Sequence, residues 1–233
     1  MSQGRTVGVL DQAGDFAATS VPEEERKGFA SILWINAGYT INLGCVFSGA
    51  ALALMLPLNQ VFIVLAVSTL IQAAIAVPIG AIGARHGLST PMLAREAYGR
   101  YGSWLVALTL TLSLGIFWFG WQVALFADTI GALAPGSFMT SKVVACIWGG
   151  ALMVLTATLG FKGMGVLSFI AVPMMITFFA YGTISALDQA NLAFGQLLSL
   201  TPAGTGTIAQ GITMAVGGTA AGAIGMADIT RYA

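Results

Sequence analysis

Residues 117–121 read Phe-Trp-Phe-Gly-Trp, four aromatic rings in five positions, and Gln122 follows them. Trp118 and Gln122 stand four apart, so on an α-helix they share a face. An indole offers a flat π surface, and a carboxamide offers a donor and an acceptor side by side. Such a pair suits a flat, polar, aromatic ligand, with the ring against its face and the amide at its edge. Stacking on an aromatic side chain is worth about 1–3 kcal/mol per nucleobase. The same residues also suit core packing, with Gln122 bonded to a neighbouring helix, and chemistry alone leaves both readings open. An interfacial aromatic belt is disfavoured, because the cluster lies mid-run. No CxxC or HExxH spacing occurs, and the single histidine, His86, has no partner motif. Cys45 and Cys146 sit in apolar runs and read as small buried residues. No cofactor is expected, and no cluster of residues with metal-ligand spacing is present.

The elements that hold these residues follow from composition. Hydrophobic residues make up 57% of the 233-residue chain and charged residues 8%, where a soluble domain carries about 25% charged. Mean hydropathy is +0.88. These values predict an all-α integral membrane protein with a lipid bilayer around it. The formal net charge of zero offers nothing to nucleic acid. Residues 1–27 hold "VPEEERKG" and no apolar stretch, and read as a mobile cytosolic tail rather than a signal peptide. Six apolar runs follow in a transmembrane domain over 28–233, at 28–55, 59–84, 103–132, 141–160, 163–187 and 208–230. A span needs about 20 residues, and runs this long and continuous are helices rather than barrel strands. With the N-terminus inside, Arg5, Arg26, Lys27, Arg85, Arg95, Arg100, Lys162 and Arg231 are cytoplasmic and only Lys142 is outside. The expected location is the plasma membrane, multi-pass. In the loop 83–104, "STPMLAREAYG" predicts a short helix capped by Ser89 or Thr90.

Two spans carry signs of interruption. The first holds Asn36, Thr40 and Asn42 near its middle, with Gly38 and Gly44. Either its asparagines bond across a bundle, or the helix unwinds at mid-membrane and turns free carbonyls toward a cation. The sixth has "VGGTAAGAIG" at its centre, and the pattern predicts a second break at Gly217 and Gly218. A matched pair of glycine-interrupted spans points to a transporter site.

Four segments, "GARHGLSTPMLAREAYGRYGSWL", "LSLGIFWFGWQ", "GVLSFIAVPMM" and "VGGTAAGAIGMADITRY", together resemble the nucleobase–cation symporters, the family of cytosine permeases, purine permeases and hydantoin transporters. The resemblance spans roughly residues 28–233. It implies a leucine-transporter-like fold of two inverted five-helix repeats with helices one and six broken. It also implies a secondary transporter, a symporter taking up a small heterocycle such as cytosine, a purine, a hydantoin or allantoin with sodium or a proton. By the same resemblance Trp118 is the stacking tryptophan and Gln122 bonds the ligand edge, as in the hydantoin-type branch. Gly115 stands where the cytosine-type branch has a glutamine. Asn42 falls at a ligand contact on helix one, and the Gly38 and Ile41 carbonyls at a sodium half-site. Gly218 falls at a ligand contact on helix six. Thr219 stands where relatives carry a second stacking ring, so Tyr39 or Trp121 would have to supply it. The resemblance further implies an incomplete chain, the first repeat plus helix six, with the missing C-terminal helices as partner. A non-transporting membrane scaffold is the alternative, and ligand-dependent quenching of Trp118 separates the two. An enzyme is disfavoured, since Asp128, Asp188 and Asp228 all sit near span ends. Asp128 reads as a proton-coupling carboxylate or a solvated helix end, and Asp228 with Arg231 as an interfacial pair.

Overall fold

In hydrocarbon a backbone satisfies its polar groups only as helix or closed barrel, and this chain takes the first route. The computed structural model describes residues 16, 19–158, 160–200, 202 and 204–233, and no strand occurs among them. The helices are α1 (Phe29–Thr40), α2 (Leu43–Met55), α3 (Leu58–His86), α4 (Thr90–Leu110), α5 (Phe119–Leu133), α6 (Lys142–Thr158), α7 (Gly160–Gln189), α8 (Ile208–Ile224) and α9 (Met226–Thr230). A π-helical stretch, Thr111–Trp118, joins α4 to α5. Three stretches are long and apolar enough to cross a membrane: α3, Thr90–Leu133 and Gly163–Gln189. α1 with α2 counts as a fourth, bent by 53°. α6 and α8 are apolar helices of 17 residues, at the low end of the ~17–25 that a span uses.

The first predicted run is thus two helices, with Ile41 and Asn42 between them. The expected break at Gly217 and Gly218 does not occur. α8 runs through both glycines, and the chain departs from the helix at Gly225, φ −77° and ψ 7°. Glycine weakens a helix by roughly 1 kcal/mol but does not remove a hydrogen bond, so neighbouring turns carry the pair. Ser89 is the residue that precedes α4, with Pro91 one position inside it. Gly99, at φ 68° and ψ −172°, separates the short first part of α4 from the long apolar part, a conformation that favours a residue with no Cβ.

α3 is the post against which the other broken span packs. A Cβ on Gly83 would lie 2.7 Å from the Cα and Cβ of Ala227 in α9, and one on Gly211 of α8 would lie 2.9 Å from Leu56 and Val64. Small residues let helices approach this closely. Thr230 Oγ1 donates to the Gly80 carbonyl at 2.8 Å. Leu52, Leu56, Val61 and Val64 form the core where α2, α3 and α8 meet.

The reading of residues 1–27 as mobile needs correction where the structure describes them. Val21 is buried, its N–H donating to Gly87 O at 2.9 Å, while Lys27 N–H donates to Tyr232 O at 2.6 Å. Arg26 Nη1 donates to Ala84 O at 3.1 Å, and Arg231 Nη1 to Phe16 O at 2.9 Å. Val21, Ile35 and Tyr232 share a small core. This strap satisfies the peptide groups at the ends of α3 and α9, which open helix ends leave unpaired. Arg5, residues 17 and 18 and the side chain of Lys162 lie outside what the structure describes.

Gly83→Ala is expected to lower stability by about 1–3 kcal/mol, as overpacking against a backbone does. Gly182→Ala in α7, where a Cβ meets nothing within 4 Å, is expected to be neutral or slightly stabilising. Thermal unfolding in detergent checks both, and equal melting temperatures for the two variants would show that the α3–α9 contact is not close-packed.

Candidate functional site

A helix end leaves its last carbonyls without helical partners, and at the end of α1 the sequence supplies Asn42 to take them. Asn42 Nδ2 donates to Tyr39 O at 3.0 Å and to Thr40 O at 3.5 Å, and its Oδ1 accepts from Cys45 N at 3.1 Å. One side chain therefore closes α1 and caps α2. Ala37 O accepts from Ile41 N at 2.8 Å. Among the described residues no hydrogen bond reaches the Gly38 carbonyl. Gly38 packs so closely on Ser168 of α7 that a Cβ there would overlap the serine hydroxyl.

The break opens onto a cavity of about 440 Å³ between α1, α3, the π-helical stretch and α8. Asn42 lies in its wall with Trp118, Gly218 and Thr219, so four of the sequence-predicted ligand residues meet here. Tyr39 shares that wall, and its hydroxyl rests against Gly222 of α8. Trp121 instead meets Trp118 edge-on, ring centroids 5.2 Å apart and planes at 78°. It lines a second, more open cavity of about 730 Å³, which Trp118, Leu114 and Gly218 also border. A Cβ on Gly217 or Gly218 would meet nothing within 4 Å. The glycine pair thus leaves room beside Trp118 rather than breaking the helix.

Gln122 is placed differently from the simple face argument. It is absent from the residues lining either cavity, and its Oε1 would lie 3.1 Å from a Cβ on Gly44 at the start of α2. The turn after Trp118 faces α2, whereas Trp118 closes the π-helical stretch and faces α8. Thr219 Oγ1 donates back to Ala215 O at 2.9 Å. Gly38 borders a third cavity, about 320 Å³, together with Ser168 and Asp228. Ile41, the other residue of the half-site, sits in the break itself and lines none of the three.

Two of the three aspartates near span ends, Asp128 and Asp228, have partners there. Asp128 pairs with Lys142 at 2.9 Å with both side chains exposed, the solvated end of its two readings. Asp228 Oδ1 accepts from Thr90 N at 3.3 Å, and Arg231 Nε donates to the Asp228 carbonyl at 3.3 Å. Cys45 and Cys146 are free thiols.

Residues 20–233 match a family described as permease for cytosine/purines, uracil, thiamine, allantoin. The chain belongs to this permease family. It is 28% identical to the cytosine permease of Escherichia coli O157:H7 over 223 residues, 96% of this chain and 52% of that protein. The cytosine permease of Escherichia coli strain K12 gives the same figures. The hydantoin permease of Microbacterium maritypicum is 29% identical over 151 residues, 63% of this chain and 30% of that one. The chain spans about half the length of the curated cytosine permeases it matches. Family membership and its long apolar helices make it a membrane protein.

Sequence reasoning passed over the contribution of α3 to the cavity beside Trp118 and Tyr39. Thr69 and Gln72 line it, as does Asn36 of α1, whose Oδ1 is buried with no partner among the described residues. The available signal was one carboxamide, Gln72, in the run "VFIVLAVSTLIQAAIAV". A lone amide at mid-depth faces an interior or a cavity rather than lipid.

Asn42→Ala is expected to destabilise the chain by about 0.5–2 kcal/mol, the usual cost of losing an N-cap. Asn42→Asp keeps the acceptor for Cys45 N and is expected to recover part of that loss. Chemical or thermal unfolding in detergent measures both; an Asn42→Ala protein as stable as the parent would remove Asn42 from the support of the break.

Proposed function

We propose that this chain works in a cation-coupled symporter that carries a nucleobase or a related small heterocycle, such as cytosine, a purine, a hydantoin or allantoin. The single observation that carries the reading is the cavity at the α1–α2 break, walled by Trp118, Tyr39 and Gly218, in a chain of the permease family. Its volume of about 440 Å³ falls within the ~300–1,000 Å³ of small-ligand clefts. In this reading Trp118 stacks the ring, Asn42 and Thr219 border it, and Gly218 lets the ligand approach the α8 backbone. Tyr39 takes the place of the second ring that Thr219 lacks. Gln122 acts beside Gly44 at the start of α2, on the edge of the ligand site.

The fold we propose is leucine-transporter-like. α1–α2 and α8–α9 are the broken helices of two inverted repeats, and the domain over 28–233 crosses the plasma membrane from a cytoplasmic N-terminus. The lysine and arginine distribution supports that orientation. Further helices of a second repeat would be the partner that completes the site. Sodium is the favoured coupling ion. The carbonyls of Gly38 and Ile41 at a broken helix are hard oxygen donors, and the cavity that Gly38 borders adds Ser168 and the carboxylate of Asp228, further oxygen ligands for a cation.

Expression of the native gene in cells lacking their own permeases, followed by uptake of radiolabelled cytosine, uracil, hypoxanthine, hydantoin and allantoin, tests the reading. Trp118→Ala is expected to abolish saturable uptake and Trp118→Phe to retain part of it, since stacking is worth about 1–3 kcal/mol. Equal uptake by Trp118→Ala and the parent at matched surface level would move the site elsewhere.

Replacing sodium with choline is expected to reduce uptake by roughly tenfold or more, as loss of a driving ion does in a coupled cycle of alternating access. Undiminished uptake in choline that follows the pH gradient would reassign the coupling ion to the proton.

A further inference from the structure

Gln72 is the midpoint of α3, fourteen residues from either end of Leu58–His86. A carboxamide at that depth is costly unless it finds a partner or a polar cavity. Gln72 has one hydrogen bond among the described residues, from Nε2 to Ala215 O at 3.5 Å, at the outer limit of such a bond. That acceptor already receives Thr219 Oγ1 at the shorter distance of 2.9 Å. The amide is therefore weakly held. It lies in the wall of the cavity that holds Trp118, whereas Gln122 does not. Asn36, whose Oδ1 has no partner among the described residues, borders the same space from α1.

We propose that Gln72 reads the hydrogen-bonding edge of the ligand stacked on Trp118, and so sets which heterocycle is accepted. The inference rests on the transport reading above and adds to it a specificity residue on α3. A primary amide presents N–H and C=O side by side. It can pair with any ring edge that places an acceptor next to a donor, as cytosine, uracil and hydantoin all do. A ligand displaces the 3.5 Å bond at little cost, because Ala215 O keeps its bond from Thr219. An apolar isostere at position 72 leaves the ligand's edge unpaired against a largely apolar wall, where an unmade hydrogen bond is expensive.

The test measures KM and maximal uptake for cytosine, uracil, hypoxanthine and hydantoin with the native gene product, Gln72→Leu and Gln72→Asn, each corrected for surface level. For the substrates that the parent carries, Gln72→Leu is expected to raise KM by roughly tenfold or more. Maximal uptake per molecule is expected to stay within about twofold, the pattern of lost substrate binding. Gln72→Asn keeps the amide on a shorter stem and is expected to recover part of the KM while changing the rank order of substrates. An unchanged KM in Gln72→Leu, or a fall in surface level and maximal uptake alone, would overturn the inference and leave the transport reading standing. No saturable uptake by the parent would overturn both.

Discussion

A peptide group that cannot find a partner in an apolar medium costs several kcal/mol, and the break between α1 and α2 has to answer that cost. Asn42 does so from the gap itself. Its amide donates to the carbonyls that end α1 and its oxygen receives the Cys45 N–H in the first turn of α2. Two helices can then meet at 53° with much of the backbone polarity at the break paired. The cavity, the reach of Tyr39 toward α8 and the placement of Trp118 all depend on that bend, because a straight helix would fill the space they enclose.

The second constraint is distance. α8 and α9 are held against α3 by close contacts at Gly80, Gly83 and Gly211: Gly83 meets the Ala227 backbone, Gly80 the Met226 and Thr230 side chains, and Gly211 the Leu56 and Val64 side chains. Two backbone bonds, Gly204 N to Leu54 O at 2.8 Å and Gly206 N to Met55 O at 3.0 Å, tie the approach to α8 onto the end of α2. At the opposite end the strap around Val21 and Lys27 joins α3 to the residues after α9. The two broken spans are thus anchored to α3 at both ends and separated only in the middle, where Gly217 and Gly218 leave volume. Glycine serves two ends in one helix: it permits contact near the ends of α8 and leaves room at its centre.

Much of this was legible in the residues. Helical class and long apolar runs follow from composition, since so few charges cannot cover a wetted surface. The interruption of the first run was one of two readings that Asn36, Thr40, Asn42 and two glycines at mid-depth allowed, and the structure decides for it. Trp118 stood out because an aromatic cluster with an amide has no purpose in lipid alone. The position of the second interruption was not legible. Glycine density marks where a helix is weak or where space is needed, and local sequence does not separate the two. Nor did the polar N-terminal segment announce that its backbone would be used as a strap.

By itself, then, the sequence determined the class of the protein, the family to which it belongs and the residues that can stack or bond a flat ligand. These rest on side-chain chemistry and on hydropathy summed along the chain, and both are properties of order. Only the tertiary structure decided which of those residues share a cavity. Trp118 and Gln122, four apart, part company because the π-helical stretch turns one toward α8 while the next turn packs on α2. Gln72, forty-six residues from Trp118, joins it because α3 packs on α8 through glycine. Adjacency on one helix is set by its pitch, but adjacency across helices is set by how closely their backbones approach, and that is a property of the assembled bundle.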